Sequence, residues 1–393
     1  MNIVLEVRSK NSVKKFLKIL SVMLFITITS LFMINMAYPD NALFSKFIGK
    51  GSFLDLKFAG NEDETTIEYV YPLCSSREDI RNIMMEAIYN NRNSIDIRLA
   101  DRDNILSTEE LFNLIDGVDS ISYTASESRQ GVITEHIEFT YTDYYAYEYA
   151  FNNNDLSRMT EKQRITYAKM LEIMAEYIND SMDEYEKALV LHDYIVKNCR
   201  YNIEDLQNSN LEEDDYTAYG TLIIGESVCS GYAETYRTLL MMCGIESRTV
   251  SGKTDGEAHA WNLVKINENW YHVDVTWDDP VPDTGDYVYH NYFNLTDEVI
   301  SADHIWNRGR YPQAISIGDN YFVKNDLIAS TTEKIEDIID RAVAENKQEV
   351  SVLWKGEDEA DLNRVFYHYY SYTLSEHSYG DEYRVYNIRF GDE

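Results

Sequence analysis

Between residues 62 and 145 the chain switches between two spacings of apolar side chains. TIEYVYPL alternates as a half-buried strand does, and SSREDIRNIMMEAIYNN then gathers its apolar residues on one stripe of a helix. SIDIRL returns to strand spacing, STEELFNLI reads as a second helix, and ISYTA and HIEFTYT read as further strands. Ser76, with Asp79 just after it, offers the first helix a start. The pattern predicts a small α+β module over 62–145.

The stretch 319–393 repeats that order. NYFVKND precedes a helix, TTEKIEDIIDRAVAEN, then a strand, EVSVLW, a helix beginning near Asp358, and a strand, YRVYNIRF. At a constant offset Ile80 matches Ile335, Ile83 matches Ile338, Ala87 matches Ala342 and Asn91 matches Asn346, with Ile97 and Val352 in step. Two amphipathic helices each followed by a strand would look alike in any case, so a true repeat and a coincidence both remain open. A repeat would place two similar modules around a central domain, suited to positioning or ligand contact.

That central domain is predicted over 155–312. It opens with two helices, EKQRITYAKMLEIMAEYIND and DEYEKALVLHDYIVKNC, the second from about Asp183. An acidic loop follows, then a helix from near Cys229 to a stop at Gly244. Strands come afterwards: ESRTVSG, HAWNLVKI and WYHVDVTW. Helices first and an antiparallel sheet second is an α+β layout.

The first 40 residues are of another kind. Arg8, Lys10, Lys14, Lys15 and Lys18 precede ILSVMLFITITSLFMI, which carries no charge. Extended to Ala37 as a helix, the segment is ~28 Å long, close to the thickness of a bilayer core. The basic flank predicts a cytoplasmic N-terminus, with everything after Tyr38 exported. An uncleaved anchor fits better than a signal peptide, because Asn35-Met36-Ala37 is a poor cleavage site; cleavage would instead give a secreted protein.

Composition narrows the function. A net charge of −33 leaves no basic face for nucleic acid. The 44% hydrophobic content of 393 residues supports real cores, and 5 Pro and 17 Gly leave little room for long flexible linkers. Among four cysteines, Cys74 is remote, and Cys199–Cys243 is the one pairing compatible with a free reactive thiol at Cys229.

Cys229 stands where a helix begins, and unpaired N–H groups there favour a thiolate. Gly225, Ser227, Ser230 and Gly231 surround it with small residues, which would let a substrate backbone approach the sulfur. Cys243, just before Gly244, reads as an ordinary apolar side chain. The base should be a histidine with an orienting partner. His259 begins one strand and Asp274 lies on the next, across a turn at Asn267–Glu268. A two-residue loop there pairs Ile266 with Asn269, sets His259 opposite Thr276, and puts Asp274 on the face of His259, one diagonal step away. His272 shares that face and is the rival base; His192, on a helix, reads as structural.

ESVCSGYAETYRTLLMMCGIESRTVSG, EAHAWNLVKINENWYHVDVTWDDP and YFNLTDE with DHIW together resemble the transglutaminase-like superfamily over about residues 183–306. The resemblance implies a papain-like α+β core with Cys229 as nucleophile, His259 as base and Asp274 as its orienting carboxylate. The family's tryptophan upstream of the cysteine is missing, since Trp261 is the first in the chain. Besides the backbone N–H of Cys229, Tyr201 or Tyr219 would then supply the second oxyanion donor. No loop has calcium-ligand spacing, so neither metal nor cofactor is expected and calcium activation does not carry over.

The implied reaction is acyl transfer through a thioester on a protein or peptide, cell-wall peptide included. Water as acceptor gives protease-like hydrolysis; an amine gives cross-linking. A surface-anchored binding protein with a disused triad is the alternative, and the 32 tyrosines suit it.

Overall fold

Ser76 and Thr331 each accept a hydrogen bond from the backbone N–H three residues on, and each thereby starts a thirteen-residue helix. Asn91 and Asn346, just beyond those helices, both take positive φ (53° and 57°), the left-handed turn that Asn tolerates at a helix end. These matched signals organise two modules of one topology. In this computed structural model residues 58–390 are described, apart from 62–63, 68–70, 113, 116, 128–131, 280, 282–286, 357–359, 367–371 and 380–382. The apolar N-terminal segment and the residues near Asp358 lie outside the described residues. Among the described residues no helix is long and apolar enough to cross a membrane.

The chain divides into two units, residues 1–114 with 120–139, and residues 115–119 with 140–393. In the first, β1 (Phe58–Asn61) and β2 (Glu64–Ile67) form a hairpin. The strand expected at TIEYVYPL is thus described in two pieces, because β3 is only Leu73–Cys74. Then come α1 (Arg77–Tyr89), β4 (Ser94–Leu99), α2 (Thr108–Phe112), β5 (Val118–Glu127) and β6 (Ile133–Tyr141). The sheet order is β3-β4-β6-β5, with β3 and β4 parallel.

The second unit begins with α3 (Tyr144–Asn153), a helix not expected from the sequence, then α4 (Glu161–Tyr177) and α5 (Glu184–Asn198). Capping boxes open both of the latter, Thr160 with Gln163 and Asp183 with Glu186. After β7 (Arg200–Tyr201), α6 (Ile203–Asn208) and β8 (Glu226–Ser227) comes α7 (Cys229–Met242). This helix is buried along nearly its whole length; Tyr232, Tyr236, Leu239 and Leu240 are fully enclosed. Gly244 takes φ 77° just after it.

A five-stranded sheet packs against α7. Its strands are β9 (Ser247–Thr254), β10 (Glu257–Ile266), β11 (Asn269–Val273), β12 (Phe293–Leu295) and β13 (His304–Trp306), ordered β12-β11-β10-β9-β13 and antiparallel throughout. One helix, α8 (Asp297–Ile300), lies in the connection to β13. Asn267 and Glu268 turn with φ of 49° and 63°, so Ile266 pairs Asn269, the register of a two-residue loop. Strand β11 ends at Val273, one residue before Asp274.

After a single helical turn, α9 (Tyr321–Lys324), the C-terminal module has β14 (Ile328–Ala329), α10 (Thr332–Ala344), β15 (Glu349–Trp354), α11 (Leu362–Phe366), β16 (Tyr372–Tyr379) and β17 (Tyr383–Phe390). Its order β14-β15-β17-β16, with the first pair parallel, is that of the N-terminal module. Its interior is continuous with the central sheet, because Trp261, Leu263 and Tyr292 join Ile335, Ile339, Val352 and Ile388 in one apolar core. It is packed onto the five-stranded sheet, not set apart from it.

Strand β13 approaches β9 at Gly252, where an added Cβ would meet the Ile305 carbonyl at 2.4 Å and the Trp261 ring at 2.6 Å. Only glycine lets the two strands pair here. Gly252→Ala is expected to destabilise the second unit by about 1–3 kcal/mol. Gly309→Ala, whose Cβ would meet only Asn307 Oδ1 at 3.4 Å, is expected to leave the melting curve in place. Thermal unfolding of the two variants beside the wild type checks the difference.

Candidate active site

The first turn of α7 is built without a side-chain cap. Val228, the residue before Cys229, has no oxygen to offer, so no capping side chain occupies the N–H groups of that turn. The helix entry is fixed instead by packing and backbone. Val228 N–H donates to the Asp215 carbonyl at 2.9 Å, and Ser227, fully buried, exchanges a hydrogen bond with Thr221 at 2.8 Å. An added Cβ on Gly231 would sit 2.8 Å from that of Ser227. The small residues around the thiol therefore serve mainly close packing, and Gly225 a left-handed turn at φ 82°. Of the four, Ser230 alone lines the cleft beside Cys229, so the idea that all of them clear a path for substrate is corrected.

Strand β10 supplies the base. Asn262 donates to the Ala233 carbonyl at 2.9 Å, tying the strand to α7 and setting His259 against Cys229 as its hydrogen-bond partner. The Nε2 of His259 lies 2.6 Å from Asp274 Oδ2, which leaves Nδ1 for the sulfur. Asp274 is wholly buried, and each of its four hydrogen-bond partners favours the charged form. Oδ1 accepts the backbone N–H groups of Thr276 (3.0 Å) and Trp277 (3.1 Å), and Oδ2 also meets His304 Nε2 at 2.9 Å.

The proton distribution follows from these contacts. Burial raises the Asp274 carboxyl, but His259 and His304 outweigh it and hold the group well below the carboxylate range. Burial lowers His259, while the charge and hydrogen bond of Asp274 and the Cys229 contact raise it to about 10. Burial likewise raises the Cys229 thiol, yet the His259 hydrogen bond and charge, with the Ala260 backbone N–H, bring it below its ordinary value. Each group thus favours the charged form of the other, thiolate against imidazolium.

His304 has no role assigned by the sequence reading, although its DHIW context carried the resemblance. Its Nδ1 bonds Asp303, which also accepts the Tyr292 hydroxyl. Its distance of 30 residues from Asp274 hides the contact, which exists only once β13 has joined β9. The rival base is excluded by its own bonds: His272 Nδ1 accepts from Trp261 Nε1 and Nε2 donates to Asp297, each at 2.9 Å. Burial keeps it neutral, and neither nitrogen is free.

His192 is fully buried between Asp193 (2.9 Å) and Asp278 (3.1 Å), and Asp193 also meets His290 at 2.8 Å. Burial lowers it, but the two carboxylates raise it to about 9, making it a buried cation that joins α5 to the chain after Asp274. Asp278 belongs to this network, and its backbone N–H donates to the Asp274 carbonyl as in a turn. Two groups among the described residues have metal-ligand spacing, His192 with Asp193 and His290, and His259 with Asp274 and His304. In both, the same atoms already bond one another, so an ion would have to displace those hydrogen bonds.

Tyr201 opens on the cleft near the thiol, whereas Tyr219 lies under Lys162 and does not line it. The Cys199–Cys243 pairing is overturned, since all four cysteines are free. Cys199 packs on Ser227, before α7, and Cys243 on Met174 at its far end, about 20 Å apart along the helix.

The sequence model of the transglutaminase-like superfamily matches residues 172–275. Kyphoscoliosis peptidase of Mus musculus is 22% identical over 171 residues, 38% of this chain and 26% of that protein, and the Homo sapiens protein gives the same figures. The match thus takes in about a quarter of the length of these curated relatives. Among solved structures, a TGase is 18% identical over 56% of this chain and 63% of its own, with a TM-score of 0.26. A putative cysteine protease from Cytophaga hutchinsonii is 14% identical over 42% of this chain and 68% of its own, with a TM-score of 0.24. Overlaps that small carry no argument. Residues 172–275, which match the transglutaminase-like superfamily, hold the thiol, the imidazole and the carboxylate.

Proposed function

We propose that this chain is an extracytoplasmic, membrane-anchored cysteine enzyme that attacks amide bonds of proteins or peptides, cell-wall peptide included, and passes the acyl group to water. The observation that carries this reading is the Cys229–His259 pair at an uncapped helix start, backed by a fully hydrogen-bonded Asp274. Four hydrogen bonds to one buried carboxylate favour a working site over the disused triad of a binding protein. The location outside the membrane rests on the basic flank and uncharged run of the first 40 residues.

In the reaction the Cys229 thiolate attacks the amide carbonyl carbon. The oxyanion forms beside the Cys229 backbone N–H, with the Tyr201 hydroxyl as second donor. His259 Nδ1 gives its proton to the leaving nitrogen, and the C–N bond breaks to leave a thioester and a free amine. His259, now neutral, takes a proton from water, whose oxygen attacks the thioester; a carboxylic acid leaves and the thiolate returns. Asp274 holds the imidazole throughout and stabilises its cation. The cleft, about 1220 Å³ and open to solvent, supports water as the acceptor.

Incubation of the exported part with a glutamine-containing peptide and a labelled primary amine is expected to yield cleavage or deamidation without label. Incorporation of the amine in an uncleaved peptide would overturn the choice of water. Cys229→Ala should lower the rate at least about a thousandfold.

Iodoacetamide alkylation of Cys229 is expected to be rapid well below the ordinary thiol range, because the thiol is lowered and His259 stays protonated up to about pH 10. In His259→Ala the main lowering partner is gone and burial, the largest effect on this thiol, outweighs the remaining Ala260 N–H, so the midpoint should move above that of a free thiol. His259 also contributes stability that is complete below its ordinary 6.5 and lost as pH rises through about 10. Melting temperatures across that window check the sign.

His304 acts as a positioning residue through Asp274. In His304→Phe the alkylation midpoint should rise, by less than in His259→Ala, and kcat should fall more than KM changes. His304→Gln, which still offers an N–H to Asp274, should restore most of both. A merely structural role would move the melt and leave the pH midpoint where it was.

A further inference from the structure

The cleft has a second wall that the triad does not use. On the β16–β17 hairpin Ser375 pairs with Asn387, and His377 lies two residues along the same face; all three line the cleft that holds Cys229 and His259. Beside them the cleft is lined by Asn291, whose carbonyl accepts the Tyr379 hydroxyl of β16 and so is held by the C-terminal module.

Two polar atoms on this wall are buried without a partner among the described residues, Asn291 Oδ1 and His377 Nε2. Asn291 is only 4% exposed. A buried amide oxygen with no donor costs on the order of 1–3 kcal/mol, which argues that something else supplies the donor. The His377 ring is fixed edge-on between Tyr292 (5.1 Å) and Tyr379 (4.7 Å), and burial favours its neutral form. A neutral imidazole nitrogen either accepts or donates, according to its tautomer.

We propose that Asn291 of the central domain and His377 of the C-terminal module together form a substrate subsite, which binds the backbone of an extended peptide laid across the cleft from Cys229. Asn291 Oδ1 needs an N–H, and His377 Nε2 needs either an N–H or a C=O. A peptide backbone offers both at every residue, and it needs no charge. A cationic side chain would find Glu376 on this wall already beside Arg384 at 3.8 Å, and Asp279 holding the Tyr232 hydroxyl. The inference rests on the peptide-directed reading of the same site. It adds that the C-terminal module, through His377 and its hold on Asn291, shares in reading the substrate main chain while the triad of the central domain performs the chemistry.

The experiment is an N-methyl scan of the glutamine-containing peptide against the full chain, with two readouts: kcat/KM, and protection of Cys229 from iodoacetamide by the peptide. In the wild type, methylating the nitrogen that faces Asn291 is expected to cost about tenfold in both, the worth of one neutral hydrogen bond. In Asn291→Leu, of similar size but with no acceptor, that penalty should vanish. In His377→Phe, which keeps the ring packing, the scan should lose sensitivity at a neighbouring peptide unit. Circular dichroism and thermal melting show that the variants fold. A penalty of equal size in wild type and variants, or none at any position, overturns the subsite while leaving the enzyme reading intact. Protection that depends on the N–H in the absence of turnover supports the subsite and sinks the enzyme reading.

Discussion

One buried charge sets the terms for the rest of this domain. Asp274 has no access to water, and a lone carboxylate in that place would be far too costly to remain ionised. It stays charged because two backbone N–H groups and two imidazoles converge on it. Each of those partners constrains an element. The N–H groups require the chain to turn sharply directly after β11. His259 requires the β10–β11 register, and His304 requires that β13 add itself to the far edge of the sheet at Gly252. The lowered thiol of Cys229 is the last consequence, because it depends on the imidazole that Asp274 holds and whose charged form it favours.

A second buried charge network braces this one from behind. His192, held between Asp193 and Asp278, spans from α5 to the turn that follows Asp274, and the Tyr292 N–H donates to Asp278 at 2.9 Å. Tyr292 N–H thus fastens the turn and its hydroxyl fastens Asp303, the partner of His304. The two networks share this tyrosine, so the strand order of the sheet and the geometry of the triad are one problem with one solution.

Most of what is local was legible in the sequence. The helix from Cys229, the α5 start at Asp183, and the two-residue loop that puts Asp274 near His259 all follow from caps, spacing and parity. What was not legible depends on distant pairing. The strands β12 and β13 are three residues each, too short to show alternation, and the role of His304 arises only when they pair. The tyrosine-rich α3 has a weak stripe and polar residues at both ends, so it did not stand out from a loop. The small residues near Cys229 were visible but their purpose was not, since a glycine that admits substrate and one that admits Ser227 look alike in a sequence.

The two modules show which part of a fold a sequence repeats. Ser76 and Thr331 cap the helices, Asn91 and Asn346 turn the chain after them, and Ile80, Ala87, Ile335 and Ala342 face the cores, so every local signal recurs in step. The long-range pairs do not. Ile97 lies opposite Glu135 in the first sheet, whereas its counterpart Val352 lies opposite Tyr386 in the second. Glu135 is buried with neither oxygen bonded among the described residues, and burial raises its carboxyl toward the neutral form. Caps and turns must be kept for the topology to form at all, because each satisfies backbone groups that nothing else reaches. A cross-strand pair need only fill its volume. That freedom lets the C-terminal module give one face to the central core and another to the cleft while keeping the strand order of the N-terminal module.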